Sequence, residues 1–359
     1  MNLFGSCYRG LRVLVTGHTG FKGSWLSLWL QELGAEVAGV ALAPDTEPNH
    51  WRLLGLDIPD HRLDIRDAEG LTRIVAEFRP EVIFHLAAQP LVRRSYRDPL
   101  ETWSTNVMGT VNLLDAARRA GGVKAIIAIT TDKCYENREW PWGYRENDAL
   151  GGHDPYSASK AAAEIAAASY RSAFFHGEGA PLLATGRAGN VIGGGDWSED
   201  RLIPDLVRAV AAGRSLEIRS PAATRPWQHV LESLSGYLLL GQKLLAGQKE
   251  FGQAWNFGPE PDGNRTVAEV LSRMGEHWPE LAWHTLAAPQ PHEANLLYLD
   301  SAKARSRLGW QPVWALPQAL AATAAWYRDH SVDGRVSSRE QLAAYVVDAA
   351  AAGVAWAVA

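Results

Sequence analysis

Cysteine is nearly absent from this chain. Cys7 and Cys134 are the only two in 359 residues, which excludes a disulfide framework and a thiolate zinc site. A run of about 18 uninterrupted apolar residues, the minimum for a membrane span, is also missing. The nearest approach, 346–359, is alanine-rich and broken by Asp348. The first residues lack the charged and apolar regions of a secretory leader; 11–16 reads as a strand instead. Long basic runs are absent too, and a net charge of −5 with a pI near 6.1 argues against nucleic acid or an anionic membrane as a partner. His50, His61, His153 and His176 show no metal-ligand spacing, so no metal is expected. These absences leave a cytoplasmic enzyme as the expectation. Any phosphate must then be recognised by a few placed side chains and backbone amides.

What is present suits a large core: 47% of the residues are hydrophobic, and the length fits one large or two interleaved domains. Residues 12–16 form a short apolar run that ends in glycines, as a buried parallel strand does. Similar runs recur at 36–42, in a segment ending at Leu63-Asp64, and at 82–86, 125–130 and 182–185. Helical periodicity fills the intervals at 24–33, 66–78, 99–120 and 155–176. Repeated βα units predict an α/β fold: a Rossmann-like doubly wound parallel sheet that binds ligands at the carboxyl ends of its strands. Glycine and proline then crowd 186–204 and 220–226 and the alternation lapses, which predicts a smaller α/β substrate domain. The expected division gives 1–186, joined by 228–257, to the sheet domain, and 187–227 with 258–335 to the second. Residues 336–359 form a helical tail without an assigned role.

Gly17-His18-Thr19-Gly20-Phe21-Lys22-Gly23 follows the first strand and opens a helix. Glycines there let the backbone approach a pyrophosphate whose charge meets the helix N-terminus, the arrangement of a dinucleotide site. Lys22 either adds a charge near the phosphates or is a solvated loop lysine. The second strand ends in Val40-Ala41-Leu42-Ala43, without the acid that would hold the adenosine ribose. Asp45 is close by in an undefined register, and no arginine suits a 2′-phosphate, so NAD is the expected cofactor. Asp64 and Ile65 are either contacts to the adenine edge or, in the case of Asp64, a helix cap. Leu86, Ala87, Ala88 and Gln89 close the fourth strand with small residues where a flat cofactor can lie, and Asn106 completes the expected cofactor set.

Tyr156 and Lys160 stand four apart on one helical face. A lysine ammonium beside a phenol, with a nicotinamide charge near, lowers the phenol pKa and lets the tyrosine accept a hydroxyl proton as hydride leaves the same carbon. Thr131 ends the preceding strand and can bond the reacting oxygen. Asp132 and Lys133 add a paired acid and base that oxidation alone does not need; the alternative is a surface turn with a local ion pair. Gly193, Gly194 and Gly195 read either as a phosphate loop or as a tight turn. Most of the tryptophans, Trp25 and Trp29 among them, read as packing.

The glycine turn, Tyr-x-x-x-Lys and Arg187-Ala-Gly-Asn190-Val-Ile-Gly-Gly-Gly-Asp196 together resemble the extended short-chain dehydrogenases that act on nucleotide sugars. The likeness runs over roughly residues 10–315 and includes Leu308-Gly-Trp-Gln-Pro312. Within that group, Thr131-Asp132-Lys133 and the Gly-His-Thr-Gly-Phe-Lys-Gly turn are similar to the dehydratases of CDP-glucose, whereas the dTDP-glucose enzymes carry Thr-Asp-Glu. The resemblance implies CDP-glucose as substrate, oxidation at C4, loss of water across C5–C6 and hydride return to C6. Lys133 would serve either as the C5 base or as a cation that stabilises the enolate. It also implies Arg187, Asn190 and Arg225 at the diphosphate, Glu293 and Tyr298 at the nucleotide, and a homodimer or higher oligomer formed through the helix bearing Leu113, Leu114 and Ala117 and the helix bearing Tyr156. A UDP-hexose 4-epimerase or decarboxylase shares the cofactor machinery but usually lacks the Asp-Lys pair. A non-catalytic dinucleotide-binding scaffold would not need Thr131, Tyr156 and Lys160.

Overall fold

The computed structural model describes residues 3–285 and 296–358. Its strands, in chain order, are β1 (Arg12–Thr16), β2 (Glu36–Ala41), β3 (Asp60–Arg62), β4 (Val82–His85), β5 (Ala125–Ile129), β6 (Leu182–Ala188), β7 (Asn190–Ile192), β8 (Leu216–Ile218), β9 (Thr224–His229), β10 (Ala254–Phe257), β11 (Asn264–Thr266) and β12 (Trp283–Thr285). Seven of them form one sheet in the order β10-β6-β5-β4-β1-β2-β3, and every pairing in it is parallel. The chain winds outward from β1 in both directions, so the crevice between β1 and β4 is the switch point where such sheets take ligands.

The strand sequences explain this burial. Val13 and Val15 face one apolar layer and Leu14 the other, so a continuous apolar run is what a strand covered on both faces requires. The third strand ends at Arg62, earlier than the sequence pattern predicts, and the first helix begins at Phe21, directly on the glycine turn. The helix over 99–120 is continuous but passes through a π-helical turn at Ser104–Met108 that carries Asn106. Such bulges often mark functional sites.

The remaining strands make a three-stranded sheet, β11-β9-β7, and a two-stranded pair, β12-β8, beside the carboxyl end of the main sheet. At the C-terminus, helices Leu316–Asp333 and Ser338–Ala351 pack back onto the core. Trp356 stacks on Phe4 with ring centroids 4.8 Å apart, so the two ends of the described chain are joined.

Candidate active site

A cavity of about 980 Å³ opens along the carboxyl ends of the main sheet. At its cofactor end, Gly17 has φ +76°, and a Cβ there would lie 2.7 Å from the Ala87 amide nitrogen. A Cβ on Gly23 would come within 2.1 Å of the Gly17 carbonyl oxygen. Neither position admits a side chain. The helix Phe21–Glu32 starts after Gly20 without a side-chain cap, leaving its first amides for an anion. A dinucleotide pyrophosphate fits this cradle.

Gly17, Gly20, Phe21, Lys22 and Gly23 line the cavity, as do Asp64, Ile65, Leu86, Ala87, Ala88 and Gln89. Lys22 is not a solvated loop lysine: its Nζ lies 3.4 Å from the Tyr237 hydroxyl. Burial and the nearby Arg201 and Lys160 bring its pKa down to about 7, against the pull of Asp132. Asp64 is held by Arg66 at 2.5 Å, which keeps its carboxyl below the ordinary range. Asp67, not Asp64, caps the following helix, its side chain accepting from the Gly70 amide.

Two expected cofactor residues stand elsewhere. His18 does not line the cavity. The turn at Gly17 sends its ring beneath β2, against Gly39, where Nε2 sits 2.9 Å from Asp60 Oδ1. Asp45 does line the cavity. Asn106 lies behind the wall: it accepts from the Gln89 amide at 2.8 Å and donates to the Gln89 carbonyl and to Ser159 Oγ. Its contribution is to tie the end of β4 to the helix Pro155–Ala173.

That helix is started by Asp154, which accepts from the Ser157 amide, and by Pro155 in its first turn. Tyr156 is thereby fixed opposite the end of β5, where Thr131 favours the charged form of its phenol. Thr131, Asp132, Lys133, Tyr156 and Lys160 all line the cavity. Lys160 donates from Nζ to the Ile129 carbonyl at 3.1 Å, and burial lowers its pKa to about 8. Burial pushes Tyr156 up to about 12, although Thr131 and Arg201 oppose the rise. The protein alone therefore does not depress this phenol as the sequence pattern suggests.

Residues Asp132–Cys134 form one 3₁₀ turn capped by the Thr131 side chain. Thr131 donates to Asp132 Oδ1 at 3.0 Å, and Lys133 Nζ stands 3.6 Å from the same oxygen. Asp132 is buried and lines the cavity, while its Oδ2 has no hydrogen-bond partner among the described residues. A buried carboxylate oxygen in that condition is costly unless a ligand meets it. The arrangement gathers a phenol, a carboxyl group and a cation in one place, enough to move a proton at one carbon and expel a hydroxyl from another.

At the other end of the cavity the structure places Asn190 and Arg225 in the wall. Arg187 is not there; it lies in the core against Glu164 and does not line the cavity. Tyr298 is also outside the wall and donates to the Pro141 carbonyl, and Glu293 lies outside the described residues. Arg93, Asp200, Arg201 and Arg219 also line the cavity, and an isolated surface charge carries no local signature in the sequence. Packing explains the glycines of 193–195: a Cβ on Gly194 would sit 1.9 Å from the Trp326 ring.

The family described as GDP-mannose 4,6 dehydratase matches residues 14–323. A CDP-glucose 4,6-dehydratase from Salmonella typhimurium is 48% identical over 94% of this chain and 97% of its own length. A UDP-glucose 4-epimerase from Mycolicibacterium smegmatis is 32% identical over 89% of this chain and 100% of its own. Among solved structures, a dTDP-glucose 4,6-dehydratase from Streptomyces venezuelae with NAD and TYD bound is 27% identical, covers 89% of this chain and 97% of that one, and superposes with a TM-score of 0.75. The NAD complex of a Thermus thermophilus UDP-glucose 4-epimerase is 26% identical, with coverage of 89% and 99% and a TM-score of 0.77.

Proposed function

The chain belongs to the GDP-mannose 4,6-dehydratase family, and we propose that it is an NAD-dependent hydro-lyase that converts CDP-glucose to CDP-4-keto-6-deoxyglucose. The observation that carries this reading is the turn that sets Asp132 and Lys133 beside Thr131 and Tyr156. Epimerisation at C4 has no hydroxyl to expel, whereas dehydration needs an acid for one and a base for the neighbouring C–H.

The chemistry NAD supplies when bound is a two-electron store: a hydride leaves C4 and the same hydride returns to C6. Gly17, Gly20, Gly23 and the opening amides of the first helix would hold its pyrophosphate, with Lys22 lining the same cavity. Tyr156, oriented by Thr131, accepts the C4 hydroxyl proton, and the resulting 4-ketone acidifies C5–H. Lys133 acts there, taking the C5 proton or stabilising the enolate. Asp132 gives its proton to the C6 oxygen, which departs as water. Reprotonation at C5 closes the sequence, whose net change is the loss of one water. Arg225 and Asn190 face the diphosphate.

The protein acts as a homodimer through the helices over 99–120 and Pro155–Ala173. Leu113, Leu114 and Ala117 are buried in the core, so that face is not the one that pairs. Leu100, Trp103, Met108 and Ile165 are exposed on the same two helices and form the pairing face. Cys7 and Cys134 are both free thiols, in keeping with a cytoplasmic location. Mass spectrometry of CDP-, dTDP- and UDP-glucose after incubation with the purified protein, with and without NAD, tests the reaction. Loss of one water from CDP-glucose alone is the expected result. An isobaric epimer with no dehydrated product would overturn it.

A further inference from the structure

We propose that Arg219 and Asp200 read the edge of the nucleotide base and select cytosine over uracil and thymine. The proposal rests on the reading of this cavity as a sugar-nucleotide site and adds to it the residues that set the base.

The cavity has two chemically different ends. One wall is the main sheet's carboxyl ends with Thr131, Asp132 and Tyr156, and another is supplied by β8, which belongs to the separate two-stranded pair. Arg219 directly follows β8 in the cavity wall. Leu202, Ile203, Leu216, Ile218, Ala223 and Val267 contribute apolar wall to the same cavity. Such walls with one convergent polar pair suit a flat heteroaromatic ring.

The pair itself is built rather than incidental. Arg219 Nη2 donates to Asp200 Oδ1 at 2.9 Å, and Arg93 Nη1 donates to the same oxygen at 3.1 Å. Asp200 is thus fixed from two sides, by a residue beyond β4 and a residue beyond β8. Both of these bonds fall on Oδ1. Asp200 has φ +58° in a turn, a left-handed conformation that aspartate tolerates better than most residues. Arg93, Asp200 and Arg219 all line the cavity; the two arginines are half-buried and Asp200 is exposed in a turn.

Cytosine presents a donor at its exocyclic amine and acceptors at N3 and O2. Uracil and thymine present an acceptor at O4 and a donor at N3. A carboxylate accepts from the cytosine amine, as acidic side chains do on DNA, while a guanidinium fork donates to N3 and O2. Against uracil or thymine the same pair sets carboxylate against carbonyl and N–H against N–H. Discrimination then comes from repulsion of the wrong base as much as from attraction of the right one.

Titration calorimetry of CDP and UDP against the NAD-loaded protein reads this without turnover. The native protein is expected to favour CDP. In Asp200→Asn the amide can turn to offer either a donor or an acceptor, so the CDP-to-UDP affinity ratio should fall roughly 10-fold or more. Arg219→Lys keeps the charge but loses the fork and should also lower the ratio. It serves as the second reading if Asp200→Asn loses NAD binding through misfolding. Equal losses for CDP and UDP, with the ratio unchanged, would refute the assignment and leave these residues as loop supports. A native protein that prefers CDP but dehydrates no sugar nucleotide would keep this proposal and sink the dehydratase. Dehydration of CDP-glucose with an unchanged ratio in both variants would do the reverse.

Discussion

Arg187 Nη2 meets Glu164 Oε2 at 2.9 Å with both side chains sealed in the core. The guanidinium also donates to the Tyr135 hydroxyl at 2.7 Å and to the Glu146 carbonyl at 3.1 Å. Glu164 in turn accepts from Thr130 and Thr185. Because Glu164 rides on the helix that begins with Tyr156 and Arg187 lies on β6, this pair helps lock the catalytic helix onto the sheet.

Glu164→Gln should therefore act on stability before chemistry. It leaves a buried guanidinium uncompensated, at a cost of about 3–5 kcal/mol, or a Tm lower by about 5 °C in a chain of this size. Burial raises the Glu164 pKa, but Arg187 and the two threonine hydroxyls outweigh it and hold the carboxyl below 4.5. The contribution is thus present above that pH and is lost as pH falls through the lower folded value. Melting curves between about pH 6 and pH 3 check this. The difference between native and variant should shrink on the acid side, and a difference constant with pH would mean that Glu164 is not charged in the fold.

Asp132→Asn and Lys133→Met should separate oxidation from elimination. Tyr156, Thr131 and Lys160 are untouched in both variants, so C4 oxidation continues and absorbance of reduced cofactor accumulates. Dehydrated product should fall by roughly 10²–10⁴-fold, the usual contribution of a positioned acid or base. Normal turnover in both variants would remove these residues from the mechanism.

Thr131→Val probes the phenol. Thr131 holds the Tyr156 pKa down, so its loss raises a value of about 12 in the protein alone. At a given pH less of the phenol can then accept a proton. Turnover should fall by roughly 10²-fold, and the acidic limb of the pH–rate profile should move to higher pH. A purely structural role for Thr131 would lower the rate and leave that limb in place.

Which of these features could be read from the sequence follows from how local their causes are. The run Arg12–Thr16 and the glycines after it announce a buried strand and a phosphate turn, since chain spacing alone dictates both. Tyr156 and Lys160 are equally local, four residues apart on one helix. Arg187 misled because its partner Glu164 lies on another element, and no periodicity reports a pairing made by the fold. His18 was assigned to the cofactor from its place in the motif, yet the positive φ of Gly17 precedes a side chain that packs under β2 beside Asp60. Asp200 and Arg219 were invisible for the same reason as Arg187: their meaning depends on the cavity between them.

The C-terminal helix gives the last test. Ser338 Oγ bonds His50 Nε2 and Trp326 Nε1, each at 2.8 Å, and Trp314 Nε1 donates to Asp348 at 2.7 Å. Tyr345 donates at 2.8 Å to Glu232, a fully buried carboxyl that also accepts from the Val313 and Trp314 amides. Burial brings Glu232 up to about 7, against those three hydrogen bonds. A raised folded pKa means that the group's contribution to stability is full below its unfolded value and is lost as pH rises through the folded one. Tyr345→Phe removes the one of those three bonds that a side chain donates, a bond that supports the charged form. The variant should lose about 1 kcal/mol near pH 5, where the carboxyl is neutral, and about 2–3 kcal/mol near pH 8, where the lost bond was charge-assisted. Denaturant titrations at the two pH values measure the difference. Equal losses at both would mean that Glu232 never becomes charged in the folded protein, and that the tail is held by aromatic packing such as Trp356 on Phe4 rather than by this carboxyl.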